Sequence, residues 1–154
     1  MSRVQLALRV SDLEGSIAFY RSLFGVEPAK RRPGYANFAI AEPSLKLVLI
    51  EGDPDQATVL DHLGVEVGTV REVSAATARL SELGLSTVVE NDTTCCYALQ
   101  DKVWVHGPGR EPWEVYTVKA DAPDATSVRP DDGSGPCECG APATADGVEP
   151  KPCC

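Results

Sequence analysis

The chain has 154 residues, 43% hydrophobic and 24% charged, enough for one domain of ordinary size and too few for two independent cores. Fourteen Lys and Arg against 23 Asp and Glu leave a formal net charge of -9, the wrong sign for a protein whose affinity comes from neutralising the phosphates of nucleic acid. No apolar run approaches the ~20 residues that span a bilayer, and an amphipathic stretch follows Met1 in place of a basic and then apolar leader. The expectation is a soluble, cytoplasmic protein whose six cysteines are reduced thiols, available to metals or to soft ligands.

Taken in order, Val4 to Val10 alternates as a strand, with Leu6, Leu8 and Val10 on one face and Gln5, Ala7 and Arg9 on the other. Ser11-Asp12-Leu13-Glu14 reads as a capping box. It opens a helix with Leu13, Ile17, Tyr20 and Phe24 on one stripe, stopped by Gly25. Strands are predicted at Tyr35 to Ile40 and Leu45 to Ile50. The pattern then starts again. Asp61 to Val67 alternates in the same phase 57 residues later, and Thr69-Val70-Arg71-Glu72 caps a second helix carrying Val73, Ala76, Leu80 and Leu83, stopped by Gly84. Short strands are predicted at Ser86 to Val89, Tyr97 to Leu99, Lys102 to His106 and Trp113 to Thr117. This is a duplicated βαβββ unit in an α+β fold, module 1 over about 3–52 and module 2 over about 58–117. A module of this size cannot bury a core alone, so two sheets are expected to meet through their concave faces with the helices outside.

The pattern ends near Lys119, so 1–119 is read as the domain. Residues 120–154 hold seven acidic and two basic side chains, six of the 12 prolines and four of the 13 glycines, with no large apolar residue beyond Val128 and Val148. Such a segment cannot repay the entropy of ordering, and it is expected to be a disordered acidic tail carrying Cys137, Cys139, Cys153 and Cys154.

Three donors stand out. Gln5 and His62 occupy equivalent places on the first strands of the two modules, and Glu114 lies on the face of the last strand opposite Trp113, Val115 and Thr117. An amide oxygen, an imidazole and a carboxylate suit a borderline divalent metal such as Fe(II), and three protein ligands leave positions open for substrate. The same residues also fit solvated strand and hairpin positions; the repeat symmetry favours a site. His106, beside Gly107-Pro108-Gly109, reads as a surface residue. Asn91-Asp92-Thr93-Thr94 is turn-forming sequence leading to adjacent Cys95 and Cys96. In a regular strand these would point to opposite faces, so the backbone must leave strand geometry for both sulfurs to grip one atom. Two unrelated thiols or a vicinal disulfide are the alternatives.

On Val10-Ser11-Asp12-Leu13, Leu23-Phe24-Gly25-Val26-Glu27-Pro28, Asp61-His62-Leu63-Gly64, Thr94-Cys95-Cys96-Tyr97, Asp101-Lys102-Val103-Trp104 and Trp113-Glu114-Val115-Tyr116, the chain resembles the vicinal oxygen chelate superfamily. Within it, the chain is similar to the carbon–arsenic lyases, which are related to the cadmium-induced proteins. The resemblance covers about 1–119. It implies paired βαβββ modules around a metal cleft, with His62, Glu114 and Gln5 as ligands of Fe(II), although many superfamily members have His where Gln5 stands. It further implies Cys95 and Cys96 as arsenic-binding thiols, and an enzyme that uses O2 to break the carbon–arsenic bond of a trivalent organoarsenical such as methylarsonous acid, releasing arsenite. Leu47 and Leu49 lie near the place where glyoxalases carry another carboxylate and argue against an isomerase. The competing expectations are an extradiol ring-cleaving dioxygenase, for which the cysteine pair has no role, and a non-catalytic protein that binds arsenic, cadmium or an antibiotic. The partner expected is a small molecule, with neither nucleic acid nor membrane, and the protein itself a monomer or homodimer.

Overall fold

The structure, a computed structural model, describes residues 2–123. Of the tail predicted over 120–154, the residues from Asp124 onward, with all four cysteines, lie outside the described residues, whereas Ala120 and Asp121 belong to the last strand and Ala122 is buried. The first module comprises β1 (Arg3–Val10), α1 (Leu13–Phe24), β2 (Lys30–Arg32), β3 (Tyr35–Ile40) and β4 (Leu45–Glu51). The second comprises β5 (Val59–Glu66), α2 (Val70–Glu82), β6 (Thr87–Cys95), β7 (Ala98–His106) and β8 (Pro112–Asp121).

The strands form one eight-stranded sheet in the order β2-β3-β4-β1-β5-β8-β7-β6, not two sheets meeting face to face. The modules join edge to edge because β1 pairs antiparallel with β5, while each of these strands also pairs in parallel with the last strand of its own module, β4 or β8. Joining first strands leaves no unpaired edge inside the molecule, and the twist inherent in adjacent strands curls the sheet around a concave face.

Local sequence explains the helices on the other face. In α1 the cap is Asp12, whose carboxylate accepts from Gly15 N–H at 2.8 Å, and Gly25 closes the helix in the left-handed region at φ 66°. Glu14 does not reach back to complete a box; it pairs with Arg31 instead. In α2 Thr69 is the cap, with Glu72 N–H bonded to its Oγ1 and that hydroxyl donating to Glu72 Oε2 at 2.8 Å. Leu13 and Ile17 bury against Phe38, Leu47 and Leu49. Val73 and Leu80 bury against Val103. Leu83, expected on the buried stripe, is exposed because α2 stops at Glu82, one residue short of it.

Three further expectations are corrected. A three-residue strand, β2, precedes β3; its Lys30-Arg31-Arg32 sequence has no alternation to reveal it. Asn91 to Thr94 is part of strand β6 and not a loop, since a register shift between Glu90 and Thr93 absorbs the turn-prone residues, with Asp92 at φ 51°. The predicted strands at Tyr97 to Leu99 and Lys102 to His106 are one strand, β7. His106 is exposed at its end.

Candidate metal centre

Pairing of β1 with β5 sets Gln5 opposite Gly64 and Ala7 opposite His62. Each long polar side chain therefore faces a small residue, and the two lie diagonally across a pseudo-twofold axis on the concave face. Gly64 is also paired with Glu114 on β8, so this glycine stands between two of the three donors. A Cβ there would come within 3.1 Å of Glu114 Cγ and 3.3 Å of Gln5 Cβ.

The three predicted donors converge. Gln5 Nε2 is 2.9 Å from His62 Nε2 and 2.7 Å from Glu114 Oε1, and His62 Nε2 is 3.4 Å from Glu114 Oε1. All three are buried, at 4%, 1% and 2% exposure. Ligand atoms about 3 Å apart are what bonds of ~2.1 Å at right angles to one another require. Among the described residues no group of three His, Cys, Asp or Glu side chains is placed to hold an ion, so a centre here depends on the amide of Gln5.

Surrounding groups fix the protonation of these donors. His62 Nδ1 donates to Asp61 Oδ1 at 2.6 Å, and Asp61 is held in turn by Arg9 at 2.6 Å. This leaves Nε2 as the lone-pair nitrogen facing the cleft. Trp104 meets the imidazole edge-on. Burial lowers the basicity of His62, but the carboxylates of Asp61 and Glu114 outweigh it and the pKa is raised. For Glu114, burial favours the neutral acid. The Lys102 ammonium, 2.7 Å from Oε2, reverses this first, with the neighbouring His62 adding to it, and together they hold the carboxyl at about 2. Lys102 itself is fully buried, over the rings of Trp104 and Tyr116.

A network that the sequence reading missed supports Gln5 from behind. Tyr116 bonds to Gln5 Oε1 and, at 2.8 Å, to Glu66 Oε2; Lys46 Nζ donates to the Tyr116 hydroxyl at 3.0 Å and to Glu66 at 3.1 Å, and Arg3 caps Glu66 at 3.0 Å. Desolvation weakens the basicity of Lys46 despite the Glu66 carboxylate beside it, and burial next to Glu114 and Glu66 pushes the Tyr116 hydroxyl far up. Strand alternation carried the signal: Lys46 shares the face of Val48, Glu66 that of Gly64 and Tyr116 that of Glu114.

This network tests whether a cation fits. The two N–H groups of Gln5 point at the imidazole lone pair and the carboxylate, where a positive ion would bind the same two atoms. Oxygen and nitrogen of a carboxamide exchange places by a turn about its last bond. With Gln5 Oε1 toward the cleft, Tyr116 would accept from Lys46 and from the amide and give its single proton wholly to Glu66, instead of dividing it between two acceptors. The donor set fits a divalent ion bound by imidazole, carboxylate and amide oxygen.

Cys95 and Cys96 sit on the same concave face, clustered with Ala7, Tyr35, Val48, Ile50 and Tyr97. The chain leaves strand geometry at this point, with Cys96 at φ 45° and Tyr97 at φ 65°, so both sulfurs reach one cluster. Lys30 donates to the Tyr97 carbonyl and pairs with Asp121, and Tyr97 stacks obliquely on Tyr35, which ties the turn to the first module. Both cysteines are disulfide-bonded in the structure, not the reduced thiols expected. That expectation rested on the cellular compartment, which backbone geometry does not encode, and the turn at Cys96 and Tyr97 frees both sulfurs from opposite faces of the strand. Lys102 is committed to Glu114.

The glyoxalase/bleomycin resistance protein/dioxygenase superfamily model matches residues 3–115. The chain belongs to this superfamily. Membership accounts for the doubled βαβββ unit and the curled sheet. The chain is 63% identical, over the whole of both proteins, to a trivalent organoarsenical cleaving enzyme of Thermomonospora curvata. It is 66% identical to the cadmium-induced protein of Mycobacterium tuberculosis strain H37Rv over 79% of this chain and 80% of that one. Among solved structures, a Mn(II)-bound glyoxalase from Novosphingobium aromaticivorans shares the fold at TM-score 0.57 and 20% identity, over 79% of this chain and 42% of the other. Within the superfamily's pairing, Leu47 and Leu49 lie under α1, and the residue that matches Glu114 by symmetry is Val48. Val48 pairs with Ala7 as Glu114 pairs with Gly64.

Proposed function

We propose that this protein cleaves the carbon–arsenic bond of trivalent organoarsenicals such as methylarsonous acid, with Fe(II) held by Gln5, His62 and Glu114 and O2 as co-substrate. The observation that carries the reading is the convergence of these three donors on the face that also bears Cys95 and Cys96. The 63% identity to an organoarsenical cleaving enzyme over full length supports the substrate class.

The dithiol is the arsenic-binding form, so a thiol reductant first supplies two electrons and two protons to the oxidised cysteines. Each sulfur then displaces one hydroxyl of the arsenical as water, forming two As–S bonds and leaving the organic group as the third substituent. Fixing arsenic at Cys95 and Cys96 aims the carbon–arsenic bond along the cleft toward His62 and Glu114, a positioning effect. Bound ferrous iron would supply the redox chemistry with O2. Lys102 holds Glu114 ionised, Asp61 fixes the imidazole so that Nε2 faces inward, and Tyr116 orients the amide. The products are arsenite and an oxidised carbon fragment, formaldehyde where the group is methyl.

The test is anaerobic reconstitution of the reduced protein with Fe(II), addition of methylarsonous acid with and without O2, and measurement of arsenite over several turnovers. Multiple turnovers that need both iron and oxygen are expected, and they vanish in Cys95→Ser and Cys96→Ser with iron still bound. The 66% identity to a cadmium-induced protein favours a second reading, stoichiometric capture of a thiophilic ion. Protection limited to one equivalent without arsenite release would establish it.

A further inference from the structure

Among the described residues one buried side-chain polar atom has no hydrogen-bonding partner, the carboxamide oxygen of Gln100. Gln100 is 5% exposed. A lone buried acceptor is costly, and such an atom in an otherwise satisfied protein calls for an explanation.

The orientation of the amide is determined by its surroundings. Gln100 Nε2 donates to the Cys95 carbonyl at 3.4 Å. Turning the group over would set oxygen against oxygen, so Oε1 is the atom directed away from the backbone. Strand register gives its place. Along β7, Ala98, Gln100, Lys102 and Trp104 alternate onto the concave face. Ala98 is paired with Cys95, Gln100 with Thr93, Lys102 holds Glu114, and Trp104 meets His62. Successive members of this row stand about 6.5–7 Å apart. Gln100 therefore occupies the step between the cysteine turn and the carboxylate of the candidate centre.

We propose that Gln100 is a specificity-determining residue whose carboxamide oxygen accepts a hydrogen bond from a donor on the organic group of the arsenical. The inference rests on the functional reading above. An arsenical fixed by Cys95 and Cys96 with its carbon–arsenic bond directed at His62 and Glu114 passes Gln100. Both arsenic hydroxyls have then been exchanged for sulfur, so the only group left to carry an N–H or O–H is the organic substituent. A methyl group leaves the oxygen unsatisfied; an aromatic ring bearing an amino group satisfies it when the amine lies at the matching ring position. A site with a buried polar group discriminates against ligands that leave it unpaired.

The test is calorimetric binding to full-length, reduced, metal-free protein under anaerobic conditions, with methylarsonous acid, phenylarsonous acid and the 2-, 3- and 4-aminophenylarsonous acids as probes. Wild type is expected to bind one aminophenyl isomer about tenfold more tightly than phenylarsonous acid, the scale of one buried acceptor gaining its partner. The N,N-dimethylamino counterpart of that isomer, which has no N–H, is expected to lose the advantage. In Gln100→Leu and Gln100→Met the ratio of amine to phenyl affinity should fall to about one, with methylarsonous acid titrated alongside to show that each variant still binds arsenic. Equal binding of phenyl and all aminophenyl probes by wild type overturns the inference, as does an amine preference that survives in either variant or in the dimethylated probe. These wild-type comparisons decide the matter even where a variant fails to fold. Binding of no trivalent arsenical at all would overturn the functional reading and this inference with it, a result distinct from binding without discrimination.

Discussion

Replacing Gly64 with Ala tests the proposed centre at its tightest point. The added methyl would stand 3.1 Å from Glu114 Cγ, 3.3 Å from Gln5 Cβ and 3.4 Å from Gln5 Nε2, and the first two separations are shorter than ordinary carbon contacts. Both neighbouring atoms are close to their backbones, so the strands themselves must yield by a few tenths of an ångström. Overpacking of this kind costs about 1–3 kcal/mol, and relief of glycine's backbone entropy in a strand returns roughly 0.5–1 kcal/mol. The net is a loss of up to about 2.5 kcal/mol, or a Tm lowered by up to roughly 12 °C for a domain of this size. Metal affinity should suffer more than the fold, because the methyl pushes Gln5 and Glu114 apart at the place where they meet. A loss of about 10–100-fold is expected, the scale seen when the support of a metal ligand is disturbed. The assays are thermal denaturation of metal-free protein by circular dichroism and anaerobic calorimetric titration with Fe(II) or Co(II). An alanine variant that melts with wild type and binds metal equally well would refute the reasoning.

Removing Glu114 by alanine substitution should destabilise the metal-free protein by about 3–5 kcal/mol, since Lys102 is then a buried ammonium without its counter-ion; urea denaturation of this variant beside Lys102→Met with Glu114→Gln separates the stranded charge from lost packing. Glu114 also gives a pH dependence. Its carboxyl is held from 4.5 down to about 2 in the folded protein, so its contribution, ~3 kcal/mol, is present above pH 4.5 and lost as the pH falls from there toward 2. The stability gap between metal-free wild type and Glu114→Gln should accordingly narrow over that range in denaturant titrations, and a gap constant with pH would contradict the assignment. Tyr116→Phe removes the hydroxyl that joins Gln5 to Glu66 and Lys46, and metal affinity is expected to fall about 10–100-fold with far-ultraviolet circular dichroism unchanged. His62→Ala should abolish high-affinity metal binding, which dialysis against Co(II) and metal analysis would measure.

The convergence of Gln5, His62 and Glu114 was legible because strand period and module repeat act together: alternation put the three on one face, and the 57-residue offset from Gln5 to His62 placed two of them across an axis. The way the modules join was not legible, because nothing local to β1 or β5 states which neighbour each will take. The bulge in β6 hid within turn-forming residues that a strand can tolerate where its register slips, and β2 is too short to show a period. The supporting network of Lys46, Glu66 and Tyr116 was readable in principle from face assignment. Charged residues on short strands more often meet solvent, though, and only the curl of the sheet brings these three under cover. Gln100 gave no signal of its own, since an orphaned oxygen is a property of three-dimensional surroundings.

Duplication gave this scaffold four inward positions related in pairs, and only three of them carry a donor. The fourth, Val48, is greasy where its twin is acidic. In the proposed centre an aliphatic residue there would leave one side of a bound ion's coordination sphere to the incoming reactants, and replacing that valine with glutamate would close the sphere with protein. The reactivity of such a centre is thus set as much by the ligand the gene withholds as by the ligands it encodes.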